Sequence, residues 1–230
     1  MEKIIVLLST YNGERYLPQQ LESLHAQAGV DVEILVRDDG SRDGTTAILD
    51  EWAEDGRLSW YTSGNLGPGK SFIHLLKTAV PGHYYAFCDQ DDIWLPRKLS
   101  LTMEKMRAVE KENPGKPVIV HTDMNVVDEN LDIIHDSFWR SSGLRPDILR
   151  TFPYLCTCNS VNGCTIVMNS IARELILEKY VEHGRRISCS SGGYPAPSRS
   201  VRPFLVAGSR LARSCVAGLF LRSSVQCYSR

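Results

Sequence analysis

No stretch of this sequence is apolar for long enough to cross a bilayer, which takes about 20 consecutive residues. The apolar run at residues 4–8 is far shorter, and the apolar region 205–221 is interrupted by Arg210 and Arg213. No small-residue cleavage site follows the first run, so the sequence predicts no secretory signal and a cytoplasmic chain.

Cysteines at zinc-binding spacing are also missing. The seven Cys are odd in number, and the nearest pair, Cys156 and Cys158, is separated by one residue rather than two. This usage favours free thiols in a reducing compartment over a disulfide framework or a structural zinc site.

An excess of charge is absent overall but present locally. The formal net charge of −1 gives no reason to expect nucleic acid as a partner. Residues 1–183 contain 18 Lys plus Arg against 27 Asp plus Glu, a net of −9, whereas residues 184–230 contain eight Arg, ten Ser, no Lys and no acid. We therefore predict a globular domain over 1–183 and a separate basic tail over 184–230.

The first region alternates strand-like and helix-like segments. Continuous apolar runs are typical of strands buried on both faces of a sheet, and apolar residues at helical spacing follow each run. Strands are predicted at residues 4–8, 32–36, 58–62, 84–88, 118–120 and 161–168. Helices are predicted at residues 17–28, 45–55, 71–79, 96–111 and 170–182. The alternation predicts an α/β fold with a mainly parallel sheet flanked by helices.

Three polar clusters follow predicted strands, at residues 9–13, 38–41 and 89–92. In open α/β sheets, ligands bind outside the carboxyl ends of the strands. The third cluster places Asp89, Asp91 and Asp92 within four residues, and such carboxylates repel one another unless a cation or hydrogen-bond donors compensate. Mg²⁺ or Mn²⁺ suits these oxygens, and a solvated acidic turn before the next helix is the alternative.

The other two clusters have two interpretations each. Asp38, Asp39 and Gly40 suit a tight turn, and a carboxylate at a strand end also suits a base N–H or a ribose hydroxyl. Tyr11, after the first strand, is equally compatible with core packing and with stacking on a base.

Residues 64–71 (GNLGPGKS) match the phosphate-binding pattern G-x-x-x-x-G-K-S between a predicted strand and a helix. A P-loop nucleotide hydrolase is therefore an alternative. Against it, the preceding strand is weakly apolar, and Pro68 removes one backbone donor from the phosphate cradle.

Taken in order, several motifs resemble those of glycosyltransferase family 2, particularly its bacterial rhamnosyltransferase-like members. The similarity in order and spacing extends over residues 3–182. The motifs are residues 9–13 (STYNG), 37–45 (RDDGSRDGT), 65–67 (NLG), 87–96 (FCDQDDIWLP), 121–123 (HTD), 127–130 (VDEN), 137–139 (SFW) and 162–165 (NGCT).

The resemblance implies a GT-A type fold and an inverting, metal-assisted sugar transfer by a catalytic domain at 1–183. It implies that Tyr11 flanks the base, that Asp39 contacts base or ribose, and that Asp91 binds the metal together with Asp89. The implied nucleotide-binding residues are Thr10, Tyr11, Asn12, Asp39, Gly40, Ser41, Lys70 and Asp89. The implied sugar and acceptor residues are Asp92, Trp94, Gly163 and Cys164.

The same resemblance suggests dTDP-rhamnose or a UDP-sugar as donor and Mg²⁺ or Mn²⁺ as cofactor. A saccharide or lipid-linked saccharide would be the acceptor, in cell-surface polysaccharide assembly at the inner face of the cytoplasmic membrane. No nucleic-acid partner is implied.

The expected general base has no counterpart here. An inverting enzyme needs a base within hydrogen-bond reach of the acceptor hydroxyl, and in the family it lies in a His-Asp-Trp-Trp-like motif downstream of the strand that ends at Met168. In this chain residues 187–193 contain no acid, and Asp92 and Asp123 are the upstream candidates. A remnant that binds nucleotide-sugar without transferring the sugar is therefore an alternative function.

The composition break predicts that the reading frame shifts near codon 184, so that the catalytic domain is incomplete at its C-terminal end and the tail is frame-shifted or disordered. The alternative is a native tail whose eight Arg bind anionic lipid or an acidic partner. Sequencing the coding DNA tests this. We expect another frame after codon 184 to encode a His-Asp-Trp-Trp-like motif, and independent clones without such a frame would refute the shift.

Overall fold

The computed structural model describes residues 3–81, 83–144, 161–182 and 199–204. The strands are β1 Lys3–Thr10, β2 Asp31–Asp38, β3 Ser59–Thr62, β4 Tyr84–Cys88, β5 Ile119–Val127, β6 Ile133–His135, β7 Ile166–Met168 and β8 Arg199–Phe204. The α-helices are α1 Leu17–His25, α2 Thr45–Glu54, α3 Pro68–Thr78, α4 Lys98–Glu112, α5 Phe138–Ser141 and α6 Ser170–Glu182. A single 3-10 turn at Gly163–Thr165 precedes β7.

The strands form one sheet in the order β3-β2-β1-β4-β7-β5-β6, with β8 paired to β5. The first four strands in this order are parallel, whereas β7 is antiparallel to both β4 and β5. The predicted α/β architecture is confirmed. The sheet is mixed rather than mainly parallel, because only the β1–β4 half is built from strand–helix–strand units.

Strand β1 is buried on both faces, as its apolar run predicts. Ile4, Val6 and Leu8 join one core cluster, which contains apolar side chains of α1, α2 and α4. Ile5 and Leu7 face the opposite way and pack with side chains of α3 and α6. Alternation along one strand therefore divides the core into two layers, with helices covering both faces of the sheet.

Most predicted elements are confirmed, with shifted bounds. Strand β5 runs to Val127, well beyond the predicted 118–120, and the predicted strand 161–168 is a 3-10 turn followed by the three-residue β7. Both β6 and α5 were missed because each has only three or four residues, too few to show a period.

Other sequence expectations concern cysteines and membrane spans. Cys88 and Cys164 are free and buried, as expected, and Cys156 and Cys158 lie outside the described residues. Within the described ranges, none of the helices combines the length and the apolar composition that crossing a bilayer requires.

His121 lies inside the sheet on β5 and is almost fully buried. Among the described residues neither ring nitrogen has a hydrogen-bond partner, and the ring contacts Trp139 edge-on with centroids 5.5 Å apart. Burial lowers the pKa of His121 to about 4, although the neighbouring Asp123 carboxylate opposes that shift. The imidazole is therefore neutral at pH 7.

We predict that His121 makes the fold acid-sensitive. Between pH 6.5 and about 4 the unfolded chain binds a proton that the folded chain does not, so stability falls as pH falls, by on the order of 3 kcal/mol across that window. Urea unfolding of His121→Phe should show a correspondingly smaller fall. His135→Gln, at an exposed position on β6, is the control. An identical pH dependence of His121→Phe and the unaltered chain would contradict the prediction.

Candidate functional site

The three polar clusters meet at one edge of the sheet because their strands are parallel and in register. Thr10 at the end of β1 pairs with Asp38 at the end of β2, and Leu8 of β1 pairs with Cys88 at the end of β4. The loops that follow these strands are consequently neighbours. We call this edge the carboxyl edge.

The first two loops are joined by backbone-to-side-chain hydrogen bonds. Asn12 N donates to Ser41 Oγ at 2.8 Å, and Arg42 N donates to Asn12 Oδ1 at 2.9 Å. Gly13 N donates to Thr45 Oγ1 at 2.8 Å. Asn12 has φ +49°, a conformation that Asn tolerates better than most residues. The predicted nucleotide-binding residues Asn12 and Ser41 thus hold one another in place.

Gln90 fastens the first loop to the third. Its Oε1 accepts from Thr10 Oγ1 at 2.7 Å and from Tyr11 N at 2.8 Å, and its Nε2 donates to Tyr11 O at 3.3 Å. A Cβ on Gly13 would lie 2.5 Å from Gln90 Oε1, so a side chain is excluded there. The Tyr11 ring stays 46 % exposed on this fixed backbone, outside the core.

Asp38 builds the turn after β2. Its Oδ2 accepts from Gly40 N and Ser41 N, each at 3.0 Å, and its Oδ1 accepts from Ser41 Oγ. Gly40 has φ +89°, which glycine adopts without strain. For Asp38 the turn interpretation is therefore correct.

Asp39 is held in a different way, by a buried ion pair with Arg37 and by the loop before α3. The Arg37 side chain has 0 % exposure, and its Nη1 donates to Asp39 Oδ1. Leu66 N donates to Asp39 Oδ1 and Gly67 N to Asp39 Oδ2, both at 2.8 Å. Gly67 reaches this position with φ +74°. Both carboxylate oxygens of Asp39 therefore accept hydrogen bonds.

The same contacts argue against the P-loop interpretation of residues 64–71. Two backbone N–H groups of that segment bind Asp39, and Ser71 Oγ accepts from Arg37 Nη1 at 2.9 Å and lies 2.6 Å from Ser9 Oγ. A phosphate cradle would need those N–H groups, and bound Mg²⁺ would need the Ser71 hydroxyl. Moreover, β3 is an edge strand. Lys70 is exposed in the first turn of α3.

At the third loop, Asp89, Asp92 and Cys164 each place a potential ligand atom within 4.8 Å of the others. The two carboxylates suit Mg²⁺ or Mn²⁺, whereas a thiol suits softer metals. Asp91 is not in this group and lines a pocket with Arg15 and Tyr16. Of the two predicted metal ligands, Asp89 thus lies in a possible acidic metal group together with Asp92, and Asp91 lies beside that group.

Trp94 and Lys98 lie beneath this group, and sequence reasoning assigned the first to the sugar site and missed the second. Trp94 is only 1 % exposed, so it belongs to the core and does not line an open surface. Lys98 Nζ lies 3.1 Å from the Trp94 ring centroid and donates to Cys164 O at 2.9 Å. Burial lowers the pKa of Lys98 to about 8, and nearby thiols and carboxylates limit that shift.

Lys98 could have been found from helical phase. It shares the buried face of α4 with Leu99, Thr102, Met103, Met106 and Val109. A lysine on such a face needs an internal partner. Its bond to Cys164 O ties the 3-10 turn to the start of α4. Around Gly163, in the same turn, no atom of the described residues lies within 4 Å of where a Cβ would be.

Neither upstream candidate for a general base is an open carboxylate. Asp123 Oδ2 accepts from Ser137 Oγ at 2.6 Å, and its Oδ1 accepts from Met124 N at 2.8 Å and Trp139 N at 3.2 Å. Asp123 thereby anchors the start of α5. Asp92 is buried within the acidic group. The segment 187–193, where a base was expected, lies outside the described residues.

Comparison with known proteins gives a consistent result. The sequence profile described as "Glycosyl transferase family 2" matches residues 5–175. An uncharacterized glycosyltransferase from Nostoc sp. is 31 % identical over 148 residues, which are 64 % of this chain and 44 % of that protein. The dTDP-rhamnosyl transferase RfbG from Shigella flexneri is 36 % identical over 102 residues, 40 % of this chain and 34 % of RfbG.

Among solved structures, the mannosyltransferase PcManGT from Pyrobaculum calidifontis, in complex with GDP-Man and Mn²⁺, is 18 % identical, with a TM-score of 0.49. The match covers 76 % of this chain and 46 % of that one. Across three of the curated relatives, the chain spans 24–50 % of their length.

The buried Arg37–Asp39 pair predicts a large stability effect. Arg37→Met should cost about 3–5 kcal/mol in unfolding free energy, because it leaves the Asp39 charge buried without its partner. The double variant with Asp39→Asn should recover part of that loss. Urea unfolding of the four chains measures the coupling. Arg140→Met, in the exposed pair with Asp136, is the control and should cost less than about 1 kcal/mol. Equal losses from Arg37→Met and Arg140→Met would refute the assignment.

Proposed function

The chain belongs to glycosyltransferase family 2, and we propose that it transfers a sugar from a nucleotide-diphosphate donor to a saccharide acceptor with inversion. The observation that carries the proposal is the arrangement at the carboxyl edge. An exposed aromatic ring, a buried carboxylate and an acidic group lie on three loops that hydrogen bonds fix to one another.

The nucleotide half of the donor would occupy the loops after β1 and β2. Tyr11 offers a ring face to the base, and Asp39 keeps acceptor capacity on Oδ2 for a base N–H or a ribose hydroxyl. Asn12, Gly40 and Ser41 form the surrounding surface above the buried Thr10, and the exposed ammonium of Lys70 is available to the diphosphate. The loops are already ordered by their mutual hydrogen bonds, which lowers the entropic cost of binding.

The diphosphate would lie toward Asp89, with Mg²⁺ or Mn²⁺ held by Asp89 and Asp92, and with Asp91 completing the site as family resemblance implies. When bound, this metal neutralises the negative charge that develops on the leaving diphosphate. The chain itself contributes carboxylates that the loops have already positioned. The Lys98 ammonium beneath limits their mutual repulsion.

In the transfer, an acceptor oxygen attacks the anomeric carbon as the bond from that carbon to the diphosphate oxygen breaks. The acceptor proton passes to a carboxylate base. Gly163 and Cys164 would lie on the acceptor side, where no atom of the described residues would contact a Cβ added to Gly163. Of the two upstream candidates for the base, Asp92 is the one that is grouped with Cys164.

The donor is dTDP-rhamnose or a UDP-sugar in this proposal. Similarity to the dTDP-rhamnosyl transferase RfbG supports the first. The acceptor would be a saccharide or lipid-linked saccharide of the cell surface, and the reaction would take place in the cytoplasm at the inner face of the membrane. A basic stretch such as residues 184–230 would favour contact with anionic lipid if it is native.

A second candidate is a nucleotide-sugar-binding chain that does not transfer the sugar. The observation that favours it is the state of the carboxylates. Asp123 is engaged by three donors, and residues 183–230 contain no acid. Binding without turnover would distinguish this candidate from an active transferase.

Titration calorimetry with dTDP and with UDP, each with and without Mn²⁺, tests donor binding. We expect binding that Mn²⁺ strengthens about tenfold or more, because a metal held by these carboxylates would offset the charge of the diphosphate. Asp89→Ala, Asp92→Ala and Asp91→Ala should each abolish the Mn²⁺ effect, whereas Asp50→Ala, at an exposed position on α2, should not. A folded chain that binds neither nucleotide would exclude both candidate functions.

A further inference from the structure

A pocket of about 110 Å³ opens beside the acidic loop, away from the proposed nucleotide site. Three segments form its walls, namely the start of α1, the loop after β4 and the turn between β5 and β6. The residues that matter here are Arg15, Tyr16, Asp91, Asp92, Glu129 and Leu131.

The pocket lies on the carboxyl edge. Strands β4 and β5 are both antiparallel to β7, so β4 and β5 run in the same direction and the turn after β5 reaches the same edge as the loop after β4. The nucleotide loops lie on the β1–β2–β3 side of this edge. Asp91 and Asp92 follow β4, which lies between β1 and β5 in the sheet order, and they line the pocket together with residues from the β1 side and the β5 side.

The turn between β5 and β6, which forms one wall of the pocket, is held by hydrogen bonds to Asp128. Asp128 Oδ1 accepts from Asn130 N at 2.9 Å and from Asp132 N at 3.0 Å, and Leu131 has φ +68°. This fixes the position of Glu129, which forms an ion pair with Arg15 Nη2 at 3.0 Å. The ion pair connects two walls of the pocket.

That ion pair can open at little cost. The side chains of Arg15 and Glu129 are 62 % and 63 % exposed, and exposed pairs contribute only about 0–1 kcal/mol. A ligand that offers both donors and acceptors can therefore replace it. Vicinal hydroxyl groups do so, because one accepts from the guanidinium while its neighbour donates to the carboxylate.

Charge selects against an anion. In the metal-free chain, three carboxylates, Asp91, Asp92 and Glu129, line the pocket with one guanidinium, Arg15. A phosphate or a uronate would meet more repulsion than attraction. Tyr16 and Leu131 add apolar surface suited to the C–H face of a sugar ring, and pockets that combine a few convergent polar groups with such surface are typical of small-molecule sites.

We propose that this pocket is the subsite for one neutral saccharide residue of the acceptor, held by Arg15 and Glu129 against Tyr16. The proposal rests on the proposed function and adds the place and the chemical class of the acceptor. It puts acceptor and nucleotide on opposite sides of the acidic loop, where a hydroxyl can meet the anomeric carbon.

Amide NMR spectra of the ¹⁵N-labelled chain, titrated with methyl α-rhamnoside, methyl β-glucoside or glucuronate, test the subsite. We expect a neutral glycoside to shift the amides of residues 15–17, 91–93 and 129–131, and glucuronate to bind about tenfold more weakly. Glu129→Ala should weaken binding of the neutral glycoside about tenfold. Asp136→Ala is the matched control, since Asp136 is an exposed ion-paired acid outside the pocket lining.

Shifts confined to other residues, equal binding of glucuronate, or an unchanged affinity in Glu129→Ala would each overturn the proposal. The free Glu129→Ala chain should keep its spectrum outside the β5–β6 turn. Calorimetry with dTDP and UDP distinguishes a failure of the subsite proposal from a failure of the proposed function. A chain that binds nucleotide without these shifts refutes the subsite alone, and a chain that binds no nucleotide refutes the proposed function itself.

Discussion

The buried guanidinium of Arg37 is the interaction on which the carboxyl edge depends. It makes four hydrogen bonds, to Asp39, Ser71, Ser63 and the Gly64 carbonyl. A charge taken out of water at this depth requires such partners, and together they connect the end of β2, the loop after β3 and the start of α3. The position of the Asp39 carboxylate follows from that requirement.

The two sides of the carboxyl edge differ in how firmly their loops are held. On the β1–β2 side, hydrogen bonds from backbone N–H groups to side chains hold the loops. Beside the β5–β6 turn, an exposed ion pair joins two walls of a pocket.

Much of the fold could be predicted from the sequence because its signals are local. The apolar run at residues 4–8 indicates a strand buried on both faces. The spacing of Leu17, Leu21 and Leu24 indicates a helix, and these three side chains lie in the core. The polar clusters could be placed at one edge because parallel strands end together. The antiparallel insertion of β7 between β4 and β5 could not be predicted, since strand order depends on contacts distant in sequence.

The roles of individual site residues were less accessible. The letters at 64–71 fit a phosphate loop, yet their N–H groups bind a carboxylate that lies 27 and 28 residues earlier in the chain. Trp94 follows the acidic cluster by two positions and is buried in the core against Lys98. Only the spacing of Lys98 along the helix could indicate that this lysine is buried. Motif letters identify residue types, whereas exposure and partners depend on the packing around them.

The Gln90 side chain extends the hydrogen bonding between β1 and β4. Its side-chain amide donates to the carbonyl and accepts from the N–H of Tyr11, as a backbone peptide group of a neighbouring strand would. The Gln90 side chain therefore adds one more pair of hydrogen bonds to the β1–β4 pairing, beyond Leu8 and Cys88, the last residues that pair. A glutamate side chain at this position could accept a hydrogen bond from the Tyr11 N–H but could not donate one to the Tyr11 carbonyl. The last pair of hydrogen bonds at this end of the sheet therefore requires an amide side chain.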